Sequence, residues 1–264
     1  MERITKLERW KDDRGNEIVY DGPFDRPVNI RIHGQGNRLN VAANANVEDL
    51  LVTFYGDNGV IEIGPTNVRR APLRLELRVG HESTLTIGTN VGTAGRTFIS
   101  ATEGADVTIG DDVMFAKNIE VRTDDTHPIF DVRTRRRLNV SRSIDVGEHV
   151  WLAKHCVVMG GVTIGNGSVI GFRSIVTRSV PNNCVAVGAP ARVVRRDVAW
   201  ARPETVARKP GEQYPHEGEI AEEYWNLSAV IQPETSVGPL ARAARTVRRL
   251  AARVRRLLRQ HRLR

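Results

Sequence analysis

Aromatic residues are scarce in this chain. Phe, Trp and Tyr make up 5% of its 264 residues, which argues against a thick core built around large rings and suits a narrow interior of stacked aliphatic side chains. Cysteine is nearly missing as well. Cys156 and Cys184 stand alone, without the spacing of a metal site, so no metal is expected and both should be reduced thiols of a cytoplasmic protein. No run approaches the roughly 18 apolar residues of a membrane span. The first fifteen residues are charged throughout and lack an apolar segment, so no secretory signal is expected. Neither a GxxxxGK[ST] loop nor a GxGxxG following a strand occurs, which removes support for nucleotide-phosphate loops. The other histidines, His33, His81, His149, His155, His216 and His261, have no neighbours at ligand spacing.

Acidic residues are missing from one segment only. Residues 240–264 hold ten arginines and no Asp or Glu, and without those arginines the formal charge of +8 becomes −2. The basic character therefore belongs to the tail. Leu240, Ala243, Val247, Leu250, Val254 and Leu257 alternate spacings of three and four, which predicts a basic amphipathic helix. Such a helix could lie on an anionic membrane surface at the inner face, stay solvated, or contact its copies in a trimer. Nucleic acid ranks last, because the body has no basic face with interleaved aromatics.

What the chain does have is a repeat. From Val146 to Pro181 every sixth residue is aliphatic: Val146, Leu152, Val158, Ile164, Ile170 and Val176. Four residues after each stands a small or β-branched one: Val150, Cys156, Val162, Ser168, Ser174 and Val180. A helix repeats its apolar positions at three and four, a free strand at two. A period of six predicts a hexapeptide β-helix, in which each face of a triangular coil takes about one hexapeptide and stacked coils bury an aliphatic ladder.

Upstream, alternation begins at Val28, and Leu85–Gly88 and Val107–Gly110 repeat the shape of Val162–Gly165. The reading is a polar lead-in over 1–27, a β-helix over 28–198 and an extension over 199–264. Within the β-helix the period fails at residues 122–143, a charged stretch with one proline that should be an extruded loop, the kind of segment that carries function on a rigid scaffold. Residues 181–195 close the stack, and a short helix is conceivable within 218–231.

Four features together resemble the left-handed β-helix acetyltransferases, in particular the galactoside and maltose O-acetyltransferases and related glycan-modifying enzymes. One is the loop Asp124-Asp125-Thr126-His127-Pro128. Another is the Val150-Trp151-Leu152 segment, which follows His127 at the spacing of that group's His and Trp. The others are the hexapeptide run and the closing Val187-Gly188-Ala189-Pro190-Ala191-Arg192-Val193-Val194-Arg195. The resemblance is close over residues 122–195. It implies an all-β, left-handed parallel β-helix with a protruding loop, to which the tail adds an α-helical extension. It also implies a homotrimer with sites between subunits, acetyl-CoA as donor and a carbohydrate acceptor. The expected activity is O-acetylation of a sugar hydroxyl, of a cell-surface or capsular polysaccharide or its precursor. The alternatives are a sugar-nucleotide N-acetyltransferase and a non-catalytic β-helix scaffold.

In the resembled family the loop histidine is the base, which here is His127. A hydroxyl attacks a thioester only as its proton is taken, and imidazole is the side chain best matched to that task near neutral pH. Asp124 or Asp125 could orient the imidazole, grip the acceptor, or be solvated loop charges. Trp151, on an outward position, is implied to line the acceptor and thioester end. The pantetheine arm of coenzyme A could run beside Ala153, Lys154, Gly171, Phe172, Thr177 and Arg178, with its phosphates on Arg178, Arg192 and Arg195. Phe172 departs from the family pattern, where alanine is usual.

Overall fold

The computed structural model describes residues 2–23, 28–66, 71–202 and 222–229. The predicted helix over 240–264 and most of the extension lie outside these residues.

The chain forms a parallel β-helix with three sheets. The first holds Glu2–Ile4, Asn29–Ile32, Val47–Phe54, Leu73–Val79, Thr97–Ala101, Ile119–Arg122, Val157–Met159 and Ile175–Val176. The second holds Gly92–Thr93, Met114–Phe115, Trp151–Leu152, Val169–Ile170, Val185–Gly188 and Ala191–Arg195. The third holds Trp10–Lys11, Glu17–Val19, Arg38–Val41, Val60–Ile63, Thr84–Ile87, Val107–Ile109, Ile144–Val146 and Thr163–Ile164. From Thr84 onward the chain visits the third, second and first sheets in turn. Neighbouring strands are parallel except at the ends, where Glu2–Ile4, Trp10–Lys11 and Ala191–Arg195 pair antiparallel. Those terminal strands cover edges that would otherwise offer unpaired backbone groups.

The hexapeptide period is one face plus one corner. Asp145 pairs with Thr163, Trp151 with Val169 and Val157 with Ile175, so each of these coils consumes three hexapeptides. All six aliphatic ladder residues are fully buried, as are the small residues four positions on. Serine is tolerated at two of these inward positions because its hydroxyl is bonded: Ser168 Oγ donates to the Pro181 carbonyl at 2.6 Å, and Ser174 Oγ accepts from the Gly188 N–H at 3.0 Å. Burial pushes the Cys156 thiol up from its ordinary pKa. The recurring Ile-Gly pairs have a steric cause. A Cβ on Gly110 would lie 2.6 Å from the backbone of Gly147, and one on Gly165 would lie 2.3 Å from the Asn182 nitrogen.

Upstream coils are longer. Asn29 pairs with Leu51, Leu75 with Thr97, and Thr97 with Ile119, steps that each exceed three hexapeptides. The parallel stack also begins before Val28, since Glu17–Val19 lies in register with Arg38–Asn40; Ile18 packs inward on this strand and is buried. Within 218–231 the described residues 222–229 hold one 3-10 turn, Glu222–Tyr224, in place of a longer helix.

Candidate active site

Glu120 and Val157 are neighbours in the first sheet, yet the chain between them is more than twice as long as between Val157 and its next neighbour Ile175. The excess leaves the corner between the first and third sheets as an excursion. Its tip is a small hairpin: Phe130 and Arg137 form an antiparallel bridge, and Leu138 N–H donates to the Ile129 carbonyl at 2.8 Å. Asp131 Oδ1 accepts from the N–H groups of Arg133 and Thr134 and closes the turn. Arg137 pairs with Glu103, whose other oxygen accepts from Ser141 N–H, so the excursion is tied to the preceding coil.

His127 sits at the base of this hairpin. Its N–H donates to the Asp125 carbonyl at 2.7 Å, and its carbonyl accepts from Asn139 Nδ2 at 2.8 Å. The same carboxamide nitrogen bonds Asp125 Oδ2 at 3.0 Å, and Asn139 Oδ1 accepts from Ile129 N–H at 2.7 Å. One asparagine thus closes the loop from the far strand of the hairpin. The His127 side chain is exposed, and no described residue bonds its imidazole.

Asp124 and Asp125 face elsewhere. Asp124 is buried and accepts from Ser100 Oγ at 2.6 Å, Arg78 Nη2 at 2.9 Å and Thr126 N–H at 2.9 Å. Burial works to raise its carboxyl, but the bonds from Ser100 and Thr126 and the charges of Arg78 and Arg122 outweigh it and hold the pKa below the ordinary value. Asp124 anchors the loop to the stack. Asp125 is held by Asn139. Neither carboxylate is bonded to the His127 imidazole.

A recess of about 370 Å³ lies beneath the excursion, lined by residues that include Asp125, Leu138, Asn139, Arg142 and Met159. Thr177 and Arg178 leave the first sheet at the same corner, two coils further along. Ala153, Lys154, Gly171 and Phe172 lie at a different corner, between the second and first sheets, with Arg173 N–H bonded to the Lys154 carbonyl at 3.0 Å. Arg192 and Arg195 are on the final antiparallel strand, Arg192 opposite Val187. Phe172 is exposed, edge-on to His155 and beneath the Arg173 guanidinium. Trp151 projects from the second sheet and is half-buried, with the Trp200 ring 5.9 Å away. One chain therefore carries the predicted residues as two separate groups.

Sequence reading missed the surroundings of Trp151. His149, a turn residue with φ of 51°, is buried between two parallel rings, Trp200 at 4.2 Å and Tyr224 at 4.5 Å. Its Nδ1 lies 2.6 Å from Asp112 Oδ2 and its Nε2 lies 2.8 Å from the Trp200 carbonyl, while Trp200 Nε1 donates to the His149 carbonyl at 2.9 Å. Asn183 Nδ2 adds bonds to the carbonyls of Val198 and Tyr224. This clasp straps the segment after the β-helix onto the coil that bears Trp151. Only the clustering of Trp200, Tyr224 and Trp225 in an otherwise polar extension hinted at it.

Residues 143–178 match the family model for the bacterial transferase hexapeptide (six repeats). Over 171 residues the chain is 33% identical to a candidate acetyltransferase of Schizosaccharomyces pombe, an alignment covering 58% of this chain and 82% of that protein. It is 36% identical over 110 residues to the polysialic acid O-acetyltransferase of Escherichia coli O1:K1, covering 42% of this chain and 36% of the relative, so it spans about a third of that protein's length. The crystal structure of a polysialic-acid-specific acetyltransferase superposes with a TM-score of 0.64 at 31% identity, over 73% of this chain and 81% of that one. With the three-sheeted β-helix and the buried hexapeptide ladder, these likenesses make the chain a member of the hexapeptide-repeat acetyltransferase family.

Proposed function

We propose that the protein is an acetyl-CoA-dependent O-acetyltransferase acting on a carbohydrate hydroxyl, with His127 as general base. The observation that carries this reading is an exposed imidazole, unbonded among the described residues, on a loop base fixed by Asn139 and Asp124 beside a recess of mixed polar and apolar lining. A rigid mount with a free ring nitrogen is what proton abstraction needs.

In this mechanism the acceptor hydroxyl donates to an imidazole nitrogen of His127. As its oxygen attacks the thioester carbonyl, the proton passes to the ring. The tetrahedral intermediate collapses with cleavage of the C–S bond, and the imidazolium returns the proton to the departing thiolate. Asp124 and Asn139 are positioning residues; they hold the backbone that presents His127. Coenzyme A phosphates would meet Arg178, Arg192 and Arg195, all exposed and none paired with an acid among the described residues. Trp151, Ala153, Lys154, Gly171 and Phe172 would take the pantetheine arm.

Trp151, Ala153, Lys154, Gly171, Phe172, Arg192 and Arg195 lie away from the His127 corner, which favours a site assembled from more than one subunit, and we propose the homotrimer as that assembly. The similarity to polysialic acid O-acetyltransferases supports a glycan acceptor. The test is transfer of labelled acetyl from acetyl-CoA to a glycan panel, followed by mild base. An ester product is released and supports the reading; a base-stable amide, or no transfer to any glycan, contradicts it.

A further inference from the structure

A second recess lies on the outer face of the first sheet, upstream of the excursion. Its volume is about 190 Å³, and Arg31, Thr53, Tyr55, Glu76, Arg78 and Phe98 are among its walls. Sheet register accounts for the grouping. Arg31 pairs with Thr53, Thr53 with Arg78, Arg78 with Ser100 and Ser100 with Arg122, a single column along the solenoid axis. The alternate residues Ile32, Phe54, Leu77 and Ile99 point into the core, so this column points out.

The side chains are of the kinds that hold a sugar ring. Tyr55 is 59% exposed, and its ring is stabilised by parallel stacking on His33 at 5.7 Å. Phe98 is half-buried, with the Arg78 guanidinium over its face at 5.3 Å. Exposed rings of this type cover the apolar face of a pyranose. Arg31 and Glu76, unpaired among the described residues, supply a donor and an acceptor for its hydroxyls. Arg78 reaches both ways, lining the recess and bonding Asp124 of the catalytic loop.

We propose that this recess is a distal sugar subsite and that the acceptor is an extended glycan laid along the first sheet. The inference rests on the acetyl-transfer reading above and deepens it. Adjacent strands are about 4.8 Å apart, so the three intervals from Val47–Phe54, which Tyr55 follows, to the strand of Arg122 span about 14 Å. A single pyranose cannot reach from Tyr55 to the loop that carries His127; a chain of several residues can. The arrangement selects polymeric over monomeric acceptors.

The test measures acetyl transfer to two chain-length series, oligosialic acids and malto-oligosaccharides, each from monomer to octamer, with direct binding of the same sugars by NMR. The structure predicts that kcat/KM rises about tenfold or more with length in at least one series. Tyr55→Ala should bring the long-to-short ratio close to one, while Tyr55→Phe, which keeps the ring, should retain it. No gain with length, or a gain that survives Tyr55→Ala, overturns the subsite. If neither series is acetylated, these two glycan classes are ruled out as acceptors. Binding then decides the subsite: length-dependent binding lost in Tyr55→Ala supports it, and no such binding overturns it.

Discussion

Asn139 holds the backbone of His127: its carboxamide nitrogen donates to the His127 carbonyl at 2.8 Å from the opposite strand of the loop. The same side chain bonds Asp125 and Ile129, so three points of the loop base depend on it. Asn139→Ala removes all three bonds and none of the reacting groups. The expected result is a fall in kcat of about tenfold to a hundredfold, from a base that is present but no longer held in place. KM for acetyl-CoA should change little. Steady-state kinetics on both substrates checks this, and an unchanged kcat would contradict the positioning role.

Asp124 gives the loop a defined response to acid. Its folded-state pKa lies below the ordinary value near 3.9, so its contribution is complete above that value and is lost as pH falls through the lower folded one. The excursion should stay anchored from neutrality down to about pH 4 and loosen below it. Asp124→Asn removes a carboxylate that satisfies Arg78 and Ser100 and should cost about 2 kcal/mol at neutral pH. Hydrogen exchange of residues 123–127 across pH 3–7 should show the acid transition in the parent protein and its absence in the variant.

The clasp around His149 should stabilise the C-terminal segment. Trp200→Ala removes two ring contacts and the indole bond to the His149 carbonyl. A loss of about 3 kcal/mol is expected for truncating a buried tryptophan. Limited proteolysis would then cut at residues 198–202 before the β-helix unfolds. Equal protection in the two proteins would refute the role assigned to Trp200.

Phe172 offers an exposed ring beside Gly171, along the path assigned to the pantetheine arm. Phe172→Ala should raise KM for acetyl-CoA about fivefold, as about 1 kcal/mol of apolar contact is lost, with kcat nearly unchanged. An unaltered KM would move the arm away from this corner.

The coils of three hexapeptides were legible because each corner is as short as the fold allows, so Val146 to Val176 repeats without a break. The upstream coils were blurred by their longer turns and by a register shift: Val47 pairs with Leu73 but Asp49 with Arg74, which moves the pattern by one residue within a strand. The excursion was legible as an interruption of the period. Its supports were not. Ser100 and Arg78 lie 24 and 46 residues before Asp124, one and two coils below it, and nothing local in either strand marks them as partners of the loop. His149 showed no partner in the sequence because Trp200 and Tyr224 reach it from beyond the end of the β-helix, far downstream in the chain.

His127 is the proposed general base. The most direct measurement is single-turnover acetyl transfer by His127→Ala, with circular dichroism and oligomeric state recorded on the same sample. Loss of a general base predicts a rate lower by about a hundredfold to ten-thousandfold, with the fold and acetyl-CoA binding intact. A variant that transfers acetyl to the glycan at the parent rate would contradict the central claim.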